Sequence, residues 1–409
     1  MKAMRSHGRK TVGAAIAAAL LGALALLPAA AQSAPGDVYV ADEDASNVPS
    51  LDGAILRIGP AGGAPSVVAT SPLFVNPSGM TMGRDGSLLV ADYGNSSDPR
   101  SGGIFRVDPA TGSVSTLASG APFFHPTDLA YGPDGMLYVT DFGDTTPQLV
   151  RVDPNTGAAT VIASGSGDWN NAAGIAVARD GTIYFTQYDQ QVFRRDPSTG
   201  AITKLADNLA LLDGADGIAL SPDDGTLFVA AFGDGTGMST SPPNRVVKVD
   251  TRTGAVSLVA TVEDAVAVSL LPDGTLLSSD TDPGNAFSGQ IERIVGSSVS
   301  PFSADPVFGY PHDTVVQPEQ CGGLVPTVVG TTGPDNLAGS PFADVISTLG
   351  GKDKVKAGGG NDVVCGGGGK DTLLGQGGKD RLLGQKGSDV LKGGKGKDKG
   401  KSCEKGKLG

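Results

Sequence analysis

The chain has 409 residues, enough for two domains, and carries a formal net charge of −12. Such acidity speaks against a nucleic-acid partner, whose phosphates need a basic footprint. Its 62 glycines and 27 prolines, with 5% aromatics, describe a turn-rich chain and not a helical one.

Residues 1–34 read as a secretory signal peptide. Lys2, Arg5, Arg9 and Lys10 precede an apolar run from Val12 to Leu27, then Pro28 and the small residues Ala29, Ala30, Ala31 and Ala34. The run is short for a bilayer span, no later stretch could cross a membrane, and no cysteine stands at the cleavage point. The mature protein is therefore expected to be secreted, extracellular or cell-wall associated.

Residues 35–318 hold a long repeat. Arg84-Asp85-Gly86, Pro133-Asp134-Gly135, Arg179-Asp180-Gly181, Asp223-Asp224-Gly225 and Pro272-Asp273-Gly274 recur at spacings of 44 to 49 residues, each followed by a β-rich run such as Ser87–Ala91 or Met136–Thr140. A second turn intervenes at Asp108, Asp153, Asp196 and Asp250, each closed by a glycine four residues on. Four short strands per ~45 residues is the grammar of a propeller blade. The first unit, at Val38-Tyr39-Val40-Ala41-Asp42, lacks an innermost strand, and Tyr310–Val316 is predicted to supply it from the far end, closing a ring of six blades and burying a free edge.

These motifs, with Gly135–Asp141 and Gly217–Asp223, resemble the NHL, SMP-30/gluconolactonase and streptogramin-lyase group of six-bladed propellers. The resemblance implies a channel lined by Ser78, Thr127, Asp128, Ala173, Asp216, Asp264, His312 and Asp313. It also implies a candidate catalytic set of Asp128, Asp216 and His312 for a metal-dependent lactonase or lyase, with Asp216 where such lactonases tend to have asparagine and with no matching glutamate. Beyond the leader the histidines are His125 and His312, so a histidine base must be one of them. The same three residues read first as loop residues that cap strand ends or hydrogen-bond the blade interface, and Asp42, Asp92 and Asp141 read as turn chemistry. The expected role is a binding or scaffold module, with the enzyme as the alternative: loops (Tyr93–Gly103, Phe232–Asn244, Thr281–Gly289) and aromatics (Phe123, Phe124, Trp169, Phe232, Phe287) present a top face to a glycan, cell-wall polymer or protein ligand.

From 319 to 409 every aspartate falls in one register: Asp335, Asp344, Asp353, Asp362, Asp371, Asp380, Asp389 and Asp398. Glycine stands two residues before most of them and an aliphatic residue two after. Strands of about three residues joined by glycine turns make two nonapeptides per coil, and stacked carboxylates repel unless a cation lies between them. Oxygen ligands and irregular geometry favour calcium over magnesium. The tail resembles the hemolysin-type (RTX) calcium-binding β-roll, which implies the eight aspartates as metal ligands, completed by carbonyls of Gly350, Gly358, Gly359, Gly366, Gly367, Gly377 and neighbours. Lys352, Lys370, Lys379 and Lys397 depart from the family's small polar residue, Phe342 from its glycine and Gly400 from its aliphatic position. The central repeats, Asp353 to Asp389, are expected to bind best and the last to fray.

Cys321, Cys365 and Cys403 allow one disulfide, its pairing open. The stretch Lys392–Lys407 suits either a solvated tail or an anionic surface. The expected architecture is all-β, a six-bladed propeller followed by a parallel β-roll.

Overall fold

The computed structural model describes residues 34–43, 53–95, 101–165, 169–188, 190–233, 244–281 and 289–404. Of the predicted signal peptide, residues 1–34, all but Ala34 lie outside them, as do Phe287 and most of the three long loops. Among the described residues there is no helix, and none long and apolar enough to cross a membrane.

Six four-stranded antiparallel sheets form the propeller. Blade 2 is typical, running Pro77–Met82, Leu88–Asp92, Gly103–Val107 and Val114–Ser119 from axis to rim. Innermost strands of blades 3 to 6 are Pro126–Tyr131, Ala172–Val177, Ala215–Leu220 and Ala265–Leu270. Blade 1 takes its inner strand, Pro311–Val316, from the end of the domain, with Tyr39 opposite Val315 and Ala41 opposite Asp313. The ring closes as the sequence predicts.

Local chemistry explains the blade rhythm. In the second turns Asp108, Asp153, Asp196 and Asp250 accept backbone N–H bonds two or three residues on, and the closing glycine sits at φ near 70°. At Gly157 a Cβ would overlap the Leu117 carbonyl of its own blade's neighbour, so glycine serves both bend and approach. The fourth Asp-Gly turn differs: Asp224, not Gly225, is left-handed at φ 58°, held by its carboxylate on Arg179 at 2.8 Å. Asp92 accepts from Val75, Asn76 and Gly94 N–H, and Asp141 from Phe124, His125 and Gly143. Both carboxylates are buried clamps between a blade's second strand and the loop entering its first, which is the turn role read from the sequence.

Beyond Val316 a linker leads to a parallel β-solenoid. Residues pair with those eighteen later, giving the ladders Leu337, Val355, Leu373, Leu391 and Val328, Ile346, Val364, Leu382. These aliphatics form one core, each worth roughly 1.5–3 kcal/mol of burial. The final repeat is strand-paired: Lys399–Glu404 lies beside Arg381–Ser388 with two shifts of register, Gly400 opposite Leu382, because backbone pairing needs no side chain at the vacant core position.

Propeller and roll belong to one compact unit. Val325 enters a core cluster with Met80, Met82 and Leu88, Thr332 N–H donates to Pro272 O at 3.2 Å, and Arg179 Nη1 donates to Ala338 O at 2.6 Å. A Cys321–Cys365 disulfide ties the linker to the roll. A cavity of about 420 Å³ lies between Met80, Asp128, Ile218 and Asp313 on the propeller side and Val328 and Asp344 on the roll side. One end of the channel is thus capped by the roll, a relationship that repeats within each domain could not reveal.

Candidate functional site

Two groups of aspartates carry chemistry. In the roll, parallel stacking puts the register aspartates in two rows, 335/353/371/389 and 344/362/380/398. From Asp353 onward each Oδ1 accepts the backbone N–H of the aspartate one coil earlier, from Asp335 N to Asp353 at 2.8 Å through Asp380 N to Asp398 at 3.0 Å. The second oxygen divides the rows. At the start, Asp335 Oδ2 accepts Thr331 N–H at 2.7 Å and Asp344 Oδ2 accepts Ser340 N–H at 2.6 Å. In Asp353, Asp362, Asp371 and Asp380 the Oδ2 is buried and meets no donor among the described residues.

A buried carboxylate oxygen without a donor is costly. Burial is the largest cause of the shifts that follow: Asp362 is pushed up to about 7 and Asp371 to about 6, with Asp335 and Asp380 also raised, and row neighbours of like charge add to each. Either a proton or a cation relieves this. The donor set is all oxygen, and two of the unpaired atoms face glycines: a Cβ at Gly366 would lie 2.7 Å from Asp371 Oδ2, and one at Gly375 would overlap Asp380 Oδ2. Hard-cation chemistry fits that lining. No three acidic, histidine or cysteine side chains converge among the described residues, so an ion here would take one or two carboxylates plus backbone carbonyls.

The glycine pattern has two physical reasons. Two residues before each aspartate, at Gly369, Gly378, Gly387 and Gly396, φ lies between 130° and 149°, and a Cβ would overlap the glycine carbonyl of the preceding coil. Four residues before, the left-handed position is filled by Gly358, Gly367 and Gly394 but also by Leu349, Gln376 and Gln385, which no sequence signal announced. Of the carbonyls implied by resemblance, Gly358, Gly366 and Gly367 already accept protein hydrogen bonds, leaving one lone pair each.

In the propeller, the second and third residues of the six inner strands line the channel. The third positions are Gly79, Asp128, Gly174, Gly217, Ala267 and Asp313; the second include Asp216 and His312. Asp313 accepts Met80 N–H at 2.7 Å and Asp128 accepts Ile175 N–H at 2.9 Å, so each clips its blade to the next. Desolvation raises Asp128, with the Asp313 and Asp216 charges adding to it, and raises Asp313 to about 7. Asp216, also near 7 through burial and then the Asp313 charge, forms no side-chain hydrogen bond in the described structure.

The histidines separate cleanly. His125 is 6% exposed, stacks on Tyr93 at 4.3 Å and contacts Tyr93 O through Nδ1 at 2.9 Å, which is a core role. His312 stays half-buried at the channel, its pKa pushed down to about 4 by burial, so the 3.7 Å contact of Nε2 with Glu43 joins a neutral ring to a carboxylate. The structure therefore brings Asp128, Asp216, His312 and Asp313 to one channel, where no three metal-binding side chains converge among the described residues.

Phe123 and Trp169, expected as ligand platforms, are buried in the core at 1% and 5% exposure; both side chains are large enough to fill the space between blades. Among the described propeller residues the exposed rings are Tyr188 and Tyr310. Tyr188 meets Phe232 at 4.9 Å, and Tyr310 meets His312 at 5.3 Å. The signal for Tyr188 was present: the residue after the second strand is Tyr93, Phe142, Tyr188 or Phe232 in four successive blades.

Ring closure, channel and stacked nonapeptides together define a six-bladed propeller protein with calcium-binding RTX repeats. The SMP-30/gluconolactonase/LRE-like region matches residues 36–293, and the RTX calcium-binding nonapeptide repeat matches 329–364 and 366–399. The chain belongs to the SMP-30/gluconolactonase/LRE-like family. No curated protein matches it significantly. Among solved structures, TolB from Acinetobacter baumannii is similar, at 16% identity and a TM-score of 0.53, over 69% of this chain and 67% of that one, a likeness of fold alone. A chain of the nidogen/laminin complex aligns at 14% identity with a TM-score of 0.47, over 68% of this chain and 93% of that one.

Proposed function

We propose that this is an exported bacterial protein whose roll holds calcium through Asp335, Asp344, Asp353, Asp362, Asp371, Asp380, Asp389 and Asp398, and whose propeller is a binding module. The observation that carries the reading is the run of buried, unpaired Oδ2 atoms at Asp353, Asp362, Asp371 and Asp380. Proteins do not ordinarily bury four such atoms without a partner. An extracellular location suits sites of this kind, because calcium outside cells is abundant enough to fill weak ones. At the opposite end of the channel, Tyr188 and Tyr310 give a glycan or protein ligand aromatic faces beside carboxylates. Calorimetric titration of the full chain with calcium, followed by circular dichroism, tests the metal assignment. Absence of both heat and spectral change would defeat it.

A second reading, hydrolysis or lyase chemistry in the channel, draws on Asp216. Its carboxyl, raised to about 7 by burial and then by the Asp313 charge, and the half-buried His312 both lie on inner strands at the channel, two groups able to exchange protons with a substrate. Lactone hydrolysis that survives both His312→Ala and Asp216→Ala would remove this site.

A further inference from the structure

We propose that the calcium-loaded roll is a receptor for a flexible phosphodiester polyanion, a polyol-phosphate chain, which grips its lysines only once calcium has neutralised the interior; this rests on the calcium reading above. Every lysine and arginine from Lys352 to Lys399 is exposed, whereas every aspartate from Asp344 to Asp389 is buried. No glutamate occurs between Glu319 and Glu404. All the ion pairs among the described residues lie in the propeller. Along this stretch the charge facing solvent is therefore of one sign, and an ordinary solvated surface intersperses both.

The buried carboxylates partly offset that field when they are ionised. A divalent ion between two of them cancels their charge and leaves the lysines uncompensated. Calcium loading thus converts a weakly basic body into a strongly basic one.

Placement selects the partner. Lys354 and Lys356 flank Val355 on one sheet, with Lys392 two coils beyond Lys356; Arg381 and Lys399 pair on the other sheet. Coils stack about 4.8 Å apart. Cations on both faces cannot all meet a flat membrane, but a thin wrapping chain can reach them. Phe342 is the one aromatic residue after 319, so nucleobases find no stacking platform. Lysines outnumber the single arginine, Arg381, which suits point contacts to separate phosphates over bidentate readout. Uronate chains would compete with the aspartate rows for calcium itself, since carboxylates are its preferred ligands.

The test uses the full chain, labelled poly(glycerol phosphate) and fluorescence anisotropy at low salt, with calcium binding measured in parallel. Binding is expected in calcium, lost in chelator, reduced steeply by salt, and weakened at least about tenfold by Lys354→Gln/Lys356→Gln/Lys392→Gln, with the matching arginine variants retaining it. These residues are exposed, so the variants keep the fold. Polymer binding indifferent to calcium or to the lysine variants overturns the proposal, as does equal or tighter binding of duplex DNA, anionic vesicles or polygalacturonate. Calcium uptake without polymer binding sinks this inference alone; no calcium uptake sinks the reading beneath it.

Discussion

Asp371 Oδ1 accepts the backbone N–H of Asp353 at 3.0 Å, one coil below, while Asp371 Oδ2 lies buried with no donor. One carboxylate thus does two jobs that different substitutions can separate. The amide of Asp371→Asn can still receive the Asp353 N–H, so the calcium-free fold should be unharmed or firmer while calcium affinity falls. Asp371→Ala strands that N–H and should cost about 1–3 kcal/mol as well. Denaturant melts with and without calcium distinguish them; identical behaviour of the two variants would contradict the division.

The raised aspartates set a pH response with a definite sign. In the unfolded chain these groups release protons near 3.8, whereas folded Asp371 and Asp362 hold them to about 6 and about 7. Between those limits the native state binds more protons, so calcium-free stability falls as pH rises from about 4 toward 7. Calcium should flatten that slope, and its own affinity should drop below about pH 7 as protons compete. A thermal midpoint in chelator that rises over this interval would refute the assignment.

Stacking makes particular glycines irreplaceable. Gly378 is left-handed and its Cβ would overlap the Gly360 carbonyl, so Gly378→Ala should destabilise the roll by about 2–3 kcal/mol. Gly368 has nothing within 4 Å of its Cβ position, and Gly368→Ala should be near neutral. Calcium-dependent melts of the pair provide the comparison.

Closing a 44-residue separation, the Cys321–Cys365 disulfide should contribute about 4 kcal/mol by restricting the unfolded chain. Cys321→Ser is expected to lower the melting temperature of the roll transition while leaving the propeller transition in place. Scanning calorimetry resolves the two.

In the channel, Asp313→Ala leaves Met80 N–H unpaired at the seam between blades 1 and 2 and should lower the propeller's midpoint by the equivalent of about 1–3 kcal/mol. Asp216→Asn breaks no hydrogen bond and removes a desolvated charge, so above about pH 7 it should hold or raise the midpoint. The reverse order would reassign which carboxylate is structural.

Much of this molecule is legible in one dimension because both domains are repeats, and a repeat restates its local chemistry until chance is a poor explanation. Asp-Gly turns at blade spacing and the nine-residue register of aspartates imply propeller and roll, and the missing inner strand of blade 1 points to Tyr310–Val316 because an unpaired edge needs a partner. Aromatics were harder. Phe123 and Trp169 are indistinguishable in sequence from exposed loop rings, and burial is settled by neighbouring blades, not by the residues flanking them.

Composition and periodicity alone therefore determined the fold class, the blade count and the identity of the acidic register, since turn chemistry and strand alternation are local. Tertiary packing decided the rest: which carboxylate oxygens lose their donors, that Asp128 and Asp313 act as clips while Asp216 stays free to titrate, that Cys321 joins Cys365, and that the roll caps the propeller channel. Each depends on atoms far apart in the chain meeting in a space from which water is excluded, and desolvation is a property of that space and not of any sequence window.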